Sequence, residues 1–175
     1  MILYRFLLVQ ITIILVLVSS DVFALTQQQR KTVLNLHNSI REQYNLPSLT
    51  WDMNIEKQAQ DWANALAKNN VFKHSSFSTN KWMWENLYMI TTYEKRIKSD
   101  GSEAVMLWLQ EWQDYDYASN SCNSGAICGH FTQLIWKDTK RIGCGHATRR
   151  RWNMAMIYWV CQYDPPGNYE WERPY

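Results

Sequence analysis

The chain lacks the features that would divide it into several parts. It contains no internal repeat, no low-complexity tract and no linker rich in glycine and serine, and only 6 of its 175 residues are glycine. It also lacks the Asn-x-Ser/Thr sequence, so ordinary N-glycosylation is not expected. We therefore expect a single domain, which at this length buries about two-thirds of its unfolded surface.

A strong charge of either sign is also missing. Lys and Arg total 18 against 16 Asp and Glu, which gives a formal net charge of +2. Proteins dedicated to nucleic acids carry a much stronger positive footprint. We expect no nucleic-acid partner, and we expect the chain to act as a monomer.

The longest apolar run, at residues 6–18, is short for a membrane span, which needs about 20 apolar residues. Arg5 precedes this run, and residues 22–24 follow it with the sequence Val-Phe-Ala, whose small first and third residues suit signal peptidase. Residues 1–24 are therefore predicted to be a cleaved signal peptide. The mature, secreted domain is predicted to be residues 25–175, with an unchanged net charge of 17 minus 15, or +2.

Cysteine is scarce, and all of it lies in the C-terminal half of the chain, at Cys122, Cys128, Cys144 and Cys161. In a secreted protein, disulfides are the default state of such residues. Four half-cystines allow three connectivities, and the residues alone do not choose among them.

Helical patterns dominate the first two-thirds of the mature chain. Thr26 with Gln29 forms a capping-box pattern, and apolar residues recur at helical spacing until Asn45. A second helix is predicted to start at Asp52, and a third to be capped by Ser102. The inward-facing residues predicted for these last two helices are Ile55, Ala59, Trp62, Ala63, Leu66, Val105, Trp108, Leu109 and Trp112.

Two strands are predicted near the C-terminus, at residues 142–147 and 154–163, separated by a polar turn at 149–153. The second strand is apolar on both faces, as a covered central strand should be. Helices must then flank a small antiparallel sheet on both sides. The predicted fold class is α+β, a three-layer α-β-α sandwich.

Two strings carry a family resemblance: GHFTQLIW at residues 129–136 and YWVCQYDPPGNY at residues 158–169. They resemble the paired signatures of the CAP superfamily, the cysteine-rich secretory, antigen-5 and pathogenesis-related class 1 proteins. The chain is most similar to the plant class 1 members. The resemblance implies the CAP fold and the disulfide pairs Cys122–Cys128 and Cys144–Cys161.

The resemblance also implies a cleft formed by two histidines and two glutamates, which are His74, Glu85, Glu111 and His130 in this sequence. Trp84 stands where many members have glycine, and we expect it to narrow the cleft mouth. Neutral imidazoles suit Zn²⁺, so His74 and His130 are the predicted metal ligands. Because only two protein ligands are evident, we expect any zinc to be weakly bound or exchangeable. The alternative is that the four residues satisfy one another through hydrogen bonds.

The aromatic segment at residues 111–122 occupies the position of the loop that sterol-binding family members use. Tyr115 and Tyr117 fill two of its likely aromatic places, while the third falls on or near Cys122. The alternative is that these tyrosines pack on the domain with their hydroxyls in water. The run Arg149, Arg150 and Arg151 is predicted to be a solvated hairpin tip that could assist adsorption to an anionic membrane surface.

The function predicted from these observations is that of a secreted, defence-associated protein that binds sterol or another lipid without catalysis. One alternative, which we favour less, is a metal-dependent hydrolase acting through the cleft. Another is a precursor that releases residues 165–175 as a signalling peptide by cleavage between Asp164 and Pro165. A tail packed across the sheet, with Tyr169 and Trp171 buried, is the simpler interpretation of the C-terminal segment.

Overall fold

The computed structural model describes residues 25–75, 83–93 and 99–175. The predicted signal peptide at residues 1–24 lies outside this part of the chain. None of the helices in the described ranges is both long and apolar enough to cross a membrane.

In the described part of the domain there are four α-helices and a short 3₁₀ turn. The helices are α1 Gln27–Gln43, α2 Met53–Asn69, α3 Ser102–Gln110 and α4 Gly129–Leu134, and the 3₁₀ turn is Glu111–Asp114. The strands are β1 Thr50–Trp51, β2 Trp84–Thr92, β3 Tyr115–Asp116, β4 Ser121–Cys122, β5 Arg141–Arg151 and β6 Met154–Asp164.

The main sheet has the strand order β1-β5-β6-β2. The long β5–β6 hairpin forms its centre, and β2 pairs antiparallel with β6 at one edge. The short β1 pairs parallel with β5, so the sheet is mixed rather than wholly antiparallel. β3 and β4 form a separate two-stranded ribbon. The predicted α+β sandwich is confirmed, with this one short parallel pairing added.

One face of the sheet is covered by α2, whose backbone lies directly on β5. A Cβ atom at Gly143 would lie 2.1 Å from the Glu56 nitrogen, and one at Gly145 would lie 2.3 Å from the Gln60 Cα. Glycine is therefore required at both places, because any larger residue would push the helix away from the sheet. Ala59 and Ala63, both fully buried, continue this close packing on the helix side.

The opposite face carries the larger apolar cluster, which joins α1, α3 and α4 to the sheet. Val33, Val105, Leu134 and Trp159 are each at most 1 % exposed within it. Burying side chains of this size contributes about 1.5–3 kcal/mol each, so this cluster supplies much of the stability of the fold.

The predicted starts of the first two helices are confirmed. Thr26 and Gln29 form the capping box of α1, and the Asp52 side chain accepts from the Asn54 and Ile55 N–H groups at the start of α2. Trp62 lies at the margin of the α2 stripe, only partly buried.

The predicted cap of the third helix is wrong. Gly101 is the N-cap of α3, in a left-handed conformation with φ of +85°, and Ser102 is the first helical residue. The Ser102 hydroxyl instead donates to Asp100 at 2.6 Å. Left-handed backbone favours glycine, so the helix starts without a side-chain cap.

Two further predictions need correction. Trp112 does not face inward but is 54 % exposed, because α3 ends at Gln110 and the 3₁₀ turn that follows changes the rotation per residue. Arg149–Arg151 are not a hairpin tip, since β5 continues through them and the turn consists of Trp152 and Asn153. Arg149 donates to the carbonyls of Ala67 and Lys68 at the end of α2.

Both predicted disulfides are present. Cys144 and Cys161 are directly opposed on β5 and β6, with Cα atoms 4.1 Å apart. Cys122 and Cys128 close a loop immediately before α4, with Cα atoms 5.7 Å apart. Together they tie the central hairpin and the segment that leads to His130.

Arg41 is a fully buried cation, and among the described residues it donates to backbone carbonyls alone. Its guanidinium donates to the Pro47 carbonyl at 2.7 Å and to the Trp136 carbonyl at 2.8 Å. It also donates to the Leu134 carbonyl at the end of α4 and to the Thr139 carbonyl. Burial lowers the pKa of Arg41 to about 10, so the group is still charged at neutral pH.

Candidate functional site

The first of the predicted cleft pairs joins a fixed carboxylate to an exposed ring. Glu85 is 5 % exposed on β2 and accepts from the Ser75 N–H at 2.8 Å, the Ser75 hydroxyl at 2.6 Å and Gln162 at 3.0 Å. Burial raises the pKa of Glu85, but the nearby His74 ring and the hydrogen bonds from Ser75 and Gln162 outweigh burial and lower it. The His74 Nδ1 lies 3.7 Å from the carboxylate, on a side chain that is 58 % exposed.

The second pair is closer and doubles as a helix cap. The Glu111 carboxylate accepts from the His130 Nδ1 at 2.6 Å through one oxygen. Its other oxygen accepts from the backbone N–H groups of His130 at 2.9 Å and Phe131 at 3.2 Å. Cys128, the N-cap of α4, makes no side-chain cap. Glu111 therefore caps this helix from a neighbouring segment.

The geometry of the second pair fixes which nitrogen of the His130 ring faces the carboxylate. A carboxylate can only accept, so Nδ1 carries a hydrogen, and in the neutral ring Nε2 then presents the lone pair. The ring also stacks on Trp108, with the two ring centres 6.1 Å apart. A histidine oriented by a carboxylate in this way is typical of metal ligands and of general bases.

Asn86 connects the two pairs. It follows Glu85 on β2, and its side-chain amide donates to the His130 carbonyl at 3.1 Å. The same amide donates to the Tyr163 hydroxyl at 3.2 Å. The two sides of the predicted cleft are thereby tied to a single strand.

A buried network continues from Asn86 into the core. The Tyr163 hydroxyl lies 3.0 Å from the His37 Nε2, and the His37 Nδ1 lies 2.8 Å from the Val33 carbonyl. Because a carbonyl only accepts, His37 donates through Nδ1 and accepts the Tyr163 hydrogen at Nε2. Burial raises the pKa of Tyr163 well above its ordinary value, so it stays protonated.

Sequence reasoning missed the network residues His37 and Asn86, although each left a signal. His37 falls four residues after Val33 and three before Ile40, on the buried face of α1. Asn86 is a lone amide inside an apolar strand, where a polar side chain needs a partner.

The side chains of the site supply some of the ligands that zinc needs. In its neutral form, the oriented His130 ring offers Nε2 as the kind of donor that zinc prefers. Within the described ranges, however, no group of three or more His, Cys, Asp or Glu side chains is arranged to hold a metal ion. A closed structural zinc site is therefore not formed by the described residues, and weak binding by His74 and His130 stays a prediction.

The aromatic loop at residues 115–122 contains both predicted lipid-contacting tyrosines. Tyr115 is half-buried against Phe131 and donates to Asn120 at 2.7 Å, while Tyr117 is 43 % exposed. Cys122, in the third aromatic place, is bonded to Cys128.

A cavity of about 290 Å³ lies between this loop, α4 and the C-terminal tail. Its lining is rich in aromatic side chains, with amides and carboxylates from the loop and tail at its margin. The aromatic lining residues are Trp84, Tyr115, Trp136, Tyr169 and Trp171. Trp84, predicted to narrow the cleft mouth, thus forms part of the wall of this cavity.

A larger cavity of about 620 Å³ is lined by none of the predicted site residues. Its walls come from the starts of α1 and α3 and from β5, and they include Gln29, Asp100, Glu103, His146 and Arg150. These side chains are polar or charged, so this cavity does not suit an apolar ligand.

The predicted cleavage site is held within the fold. The Asp164 carbonyl accepts from the Lys140 N–H, and the Pro165 carbonyl accepts from the Thr139 hydroxyl, each at 3.0 Å. The Asp164 carboxylate pairs with Arg141. Release of residues 165–175 remains a prediction, and these bonds must open before a protease can bind the segment.

The fold, the paired cleft residues and the two disulfides define one class of protein. The chain belongs to the CAP family, described as the Cysteine-rich secretory protein family, whose model matches residues 34–163. The resemblance noted in the sequence is thereby confirmed.

Two curated relatives are plant proteins. The chain is 36 % identical to Pathogenesis-related leaf protein 4 of Solanum lycopersicum over 149 residues, 85 % of each chain. It is 34 % identical to Pathogenesis-related protein 1A of Nicotiana tabacum over 172 residues, covering 97 % of this chain and 94 % of that protein.

The fold is also similar to that of NaASP2, whose crystal structure was solved with Zn²⁺. The TM-score is 0.68 at 26 % identity, and the match covers 87 % of both chains.

Proposed function

We propose that this chain is a secreted, defence-associated CAP protein that binds sterol or another lipid without catalysis. Similarity to the pathogenesis-related proteins of tomato and tobacco supports the defence association and secretion. The observation that carries lipid binding is the aromatic-lined cavity of about 290 Å³ whose wall includes Tyr115.

The cavity suits an amphipathic ligand. Aromatic rings supply a large apolar surface, while the Glu172 side of the wall offers a carboxylate for a hydroxyl or headgroup. Tyr117, the other predicted lipid contact, is 43 % exposed but lies outside this lining, with its ring against Arg173 and Tyr175. A ligand of this kind could also approach from a membrane surface.

Lipid extraction of the secreted protein followed by mass spectrometry tests this function. We expect a sterol or another lipid to co-purify. In a binding assay with a fluorescent sterol, Tyr115→Ala should weaken affinity about tenfold, because it removes part of an apolar wall worth about 1.5–3 kcal/mol when covered. Trp152→Ala is the matched control, since Trp152 is 90 % exposed at the hairpin turn, away from the cavity. Equal affinities for the two variants would rule out this cavity as the lipid site.

A second candidate function is weak, reversible zinc binding by His74 and His130. It is favoured by the His130 ring, whose Nε2 lone pair is oriented by the 2.6 Å bond from Nδ1 to Glu111. Zinc would act there as a Lewis acid, while Glu111 and Glu85 would orient the two imidazoles. NaASP2, a protein with the same fold, was crystallised with Zn²⁺, which supports this second candidate.

A further inference from the structure

The C-terminal tail, residues 165–175, has no helix or strand, yet it is fastened to the domain at both of its ends. Its middle is different, since Tyr169 is 49 % and Trp171 89 % exposed. The prediction that both side chains are buried is therefore wrong. We call residues 165–168 the inner anchor and residues 172–175 the terminal anchor.

The inner anchor is bound by α4. The Gly167 N–H donates to the Gln133 side chain at 2.9 Å. The Asn168 side chain donates to the Gly129 carbonyl at 2.8 Å and accepts from the Thr132 hydroxyl at 2.7 Å. Asn168 thereby satisfies both of its polar ends on one helix.

The inner anchor also packs closely against the Trp136 ring. A Cβ at Gly167 would lie 2.6 Å from the Trp136 ring, so only glycine allows the tail to lie flat on this tryptophan. Gly167 is buried in consequence.

The terminal anchor is centred on Arg173. Its guanidinium donates to the carbonyl of Tyr117 and, at 3.0 Å, to the carbonyl of Ala118. It also lies 4.9 Å from the centre of the Tyr117 ring. A planar, forked donor that also stacks on an aromatic face is a contact that lysine does not reproduce.

The last two residues complete the terminal anchor. The Tyr175 ring stacks on Tyr117 at 4.8 Å and packs against Tyr44 at 5.2 Å. The Tyr117 hydroxyl donates to the Tyr175 carbonyl at 2.9 Å. The buried Pro174 presents its carbonyl to the Lys137 N–H at 2.7 Å.

We propose that α4 and the aromatic loop form a peptide-binding site whose ligand is the tail itself, and that a severed fragment of residues 165–175 stays bound there. Both anchors lie C-terminal to the Asp164–Pro165 bond, so cutting this bond leaves every anchor contact in place. Two linked anchors give the fragment a high effective concentration at each site. The proposal goes beyond lipid binding and does not depend on it.

The test uses the full chain with a site-specific protease sequence inserted between Asp164 and Pro165. After cutting under native conditions, size-exclusion chromatography and native mass spectrometry should show the fragment travelling with the domain. Arg173→Ala should speed dissociation of the fragment at least tenfold. Trp171→Ala should not, because this side chain is 89 % exposed between the anchors.

Near-ultraviolet circular dichroism of the uncut proteins shows whether the insertion or a substitution has disturbed the fold. A separate measurement adds a labelled synthetic peptide of residues 165–175 to the cut protein. It should displace the bound fragment, whereas the peptide with Arg173→Ala should need at least tenfold more to do so. Loss of the fragment from the cut parent during chromatography, or equal behaviour of both peptides, would overturn the proposal.

Discussion

The two histidine–glutamate pairs use the same residue types but are held in opposite ways. At Glu111 and His130, the ring is fixed by a 2.6 Å bond and by stacking on Trp108. At Glu85 and His74, the carboxylate is fixed by three donors from Ser75 and Gln162, while the ring is largely exposed at 3.7 Å. One pair thus presents an oriented histidine and the other an adaptable one.

The difference follows from what lies behind each pair. His130 belongs to a helix whose first turn Glu111 caps, and Asn86, Tyr163 and His37 connect its carbonyl to the core. His74 follows the end of α2 in an irregular segment, where backbone is less constrained. The orientation of each histidine therefore depends more on the backbone and side chains packed around it than on its carboxylate partner.

Acid should first destabilise the side of the site that contains His130, because protonation of the buried His37 ring opposes folding. Burial lowers the pKa of His37 from 6.5 to about 4. The unfolded chain then binds a proton more readily than the folded one, so stability is complete above pH 6.5 and is lost as pH falls toward 4. The loss from this group amounts to about 3 kcal/mol by pH 4.

Urea denaturation at pH 7 and pH 4 measures this loss, with His37→Gln as the comparison. The variant is expected to be less stable at pH 7, but its stability should fall about 3 kcal/mol less on acidification, because it lacks the titrating ring. Other titrating groups are common to both proteins and cancel. Parallel losses in both proteins would show that His37 does not carry the acid sensitivity.

Removing each ring in turn sharpens the comparison at neutral pH. His130→Ala should lower the free energy of unfolding by about 2 kcal/mol, because it breaks a short charge-assisted bond and a ring stack. His74→Ala should change it by no more than about 0.5 kcal/mol, since an exposed side chain at 3.7 Å contributes little. Chemical denaturation measures both, and equal losses would remove the distinction between the pairs.

Zinc affinity compares the two histidines as ligands. His74→Ala and His130→Ala should each weaken binding about tenfold or more, because an open site has few ligands to spare. Glu111→Gln should weaken it by about 10-fold, at the lower end of the effect of changing a group that orients a ligand. Calorimetry measures these affinities, and His146→Ala, in a different cavity, serves as the control. Unchanged affinity in either cleft variant would exclude the ligand pair.

Much of the fold could be predicted because its signals are local. The capping box at Thr26, the cap at Asp52 and the apolar runs of the β5–β6 hairpin each depend on residues a few positions apart. The disulfide pairs and the cleft residues came from family resemblance, since they join segments distant in sequence. Spacing alone left three cysteine connectivities open.

What could not be predicted depends on contacts between distant segments. The sequence predicts Ser102 as the N-cap, but Gly101 takes that position because the chain enters α3 in a left-handed turn. The sequence predicts Arg149 as a solvated turn residue. In the folded chain it donates to the carbonyls at the end of α2, which are distant in sequence. The two-anchor attachment of the tail likewise needs α4 and the aromatic loop already in place.

The buried guanidinium of Arg41 has a consequence for the order in which the chain assembles. It gathers carbonyls from Pro47 and, some 90 positions further on, from Leu134 to Thr139. Until both segments arrive, a desolvated cation would face no acceptors, a state that costs several kcal/mol. The end of α4 and the loop after α1 should therefore acquire protection from amide hydrogen exchange together, as one cooperative unit.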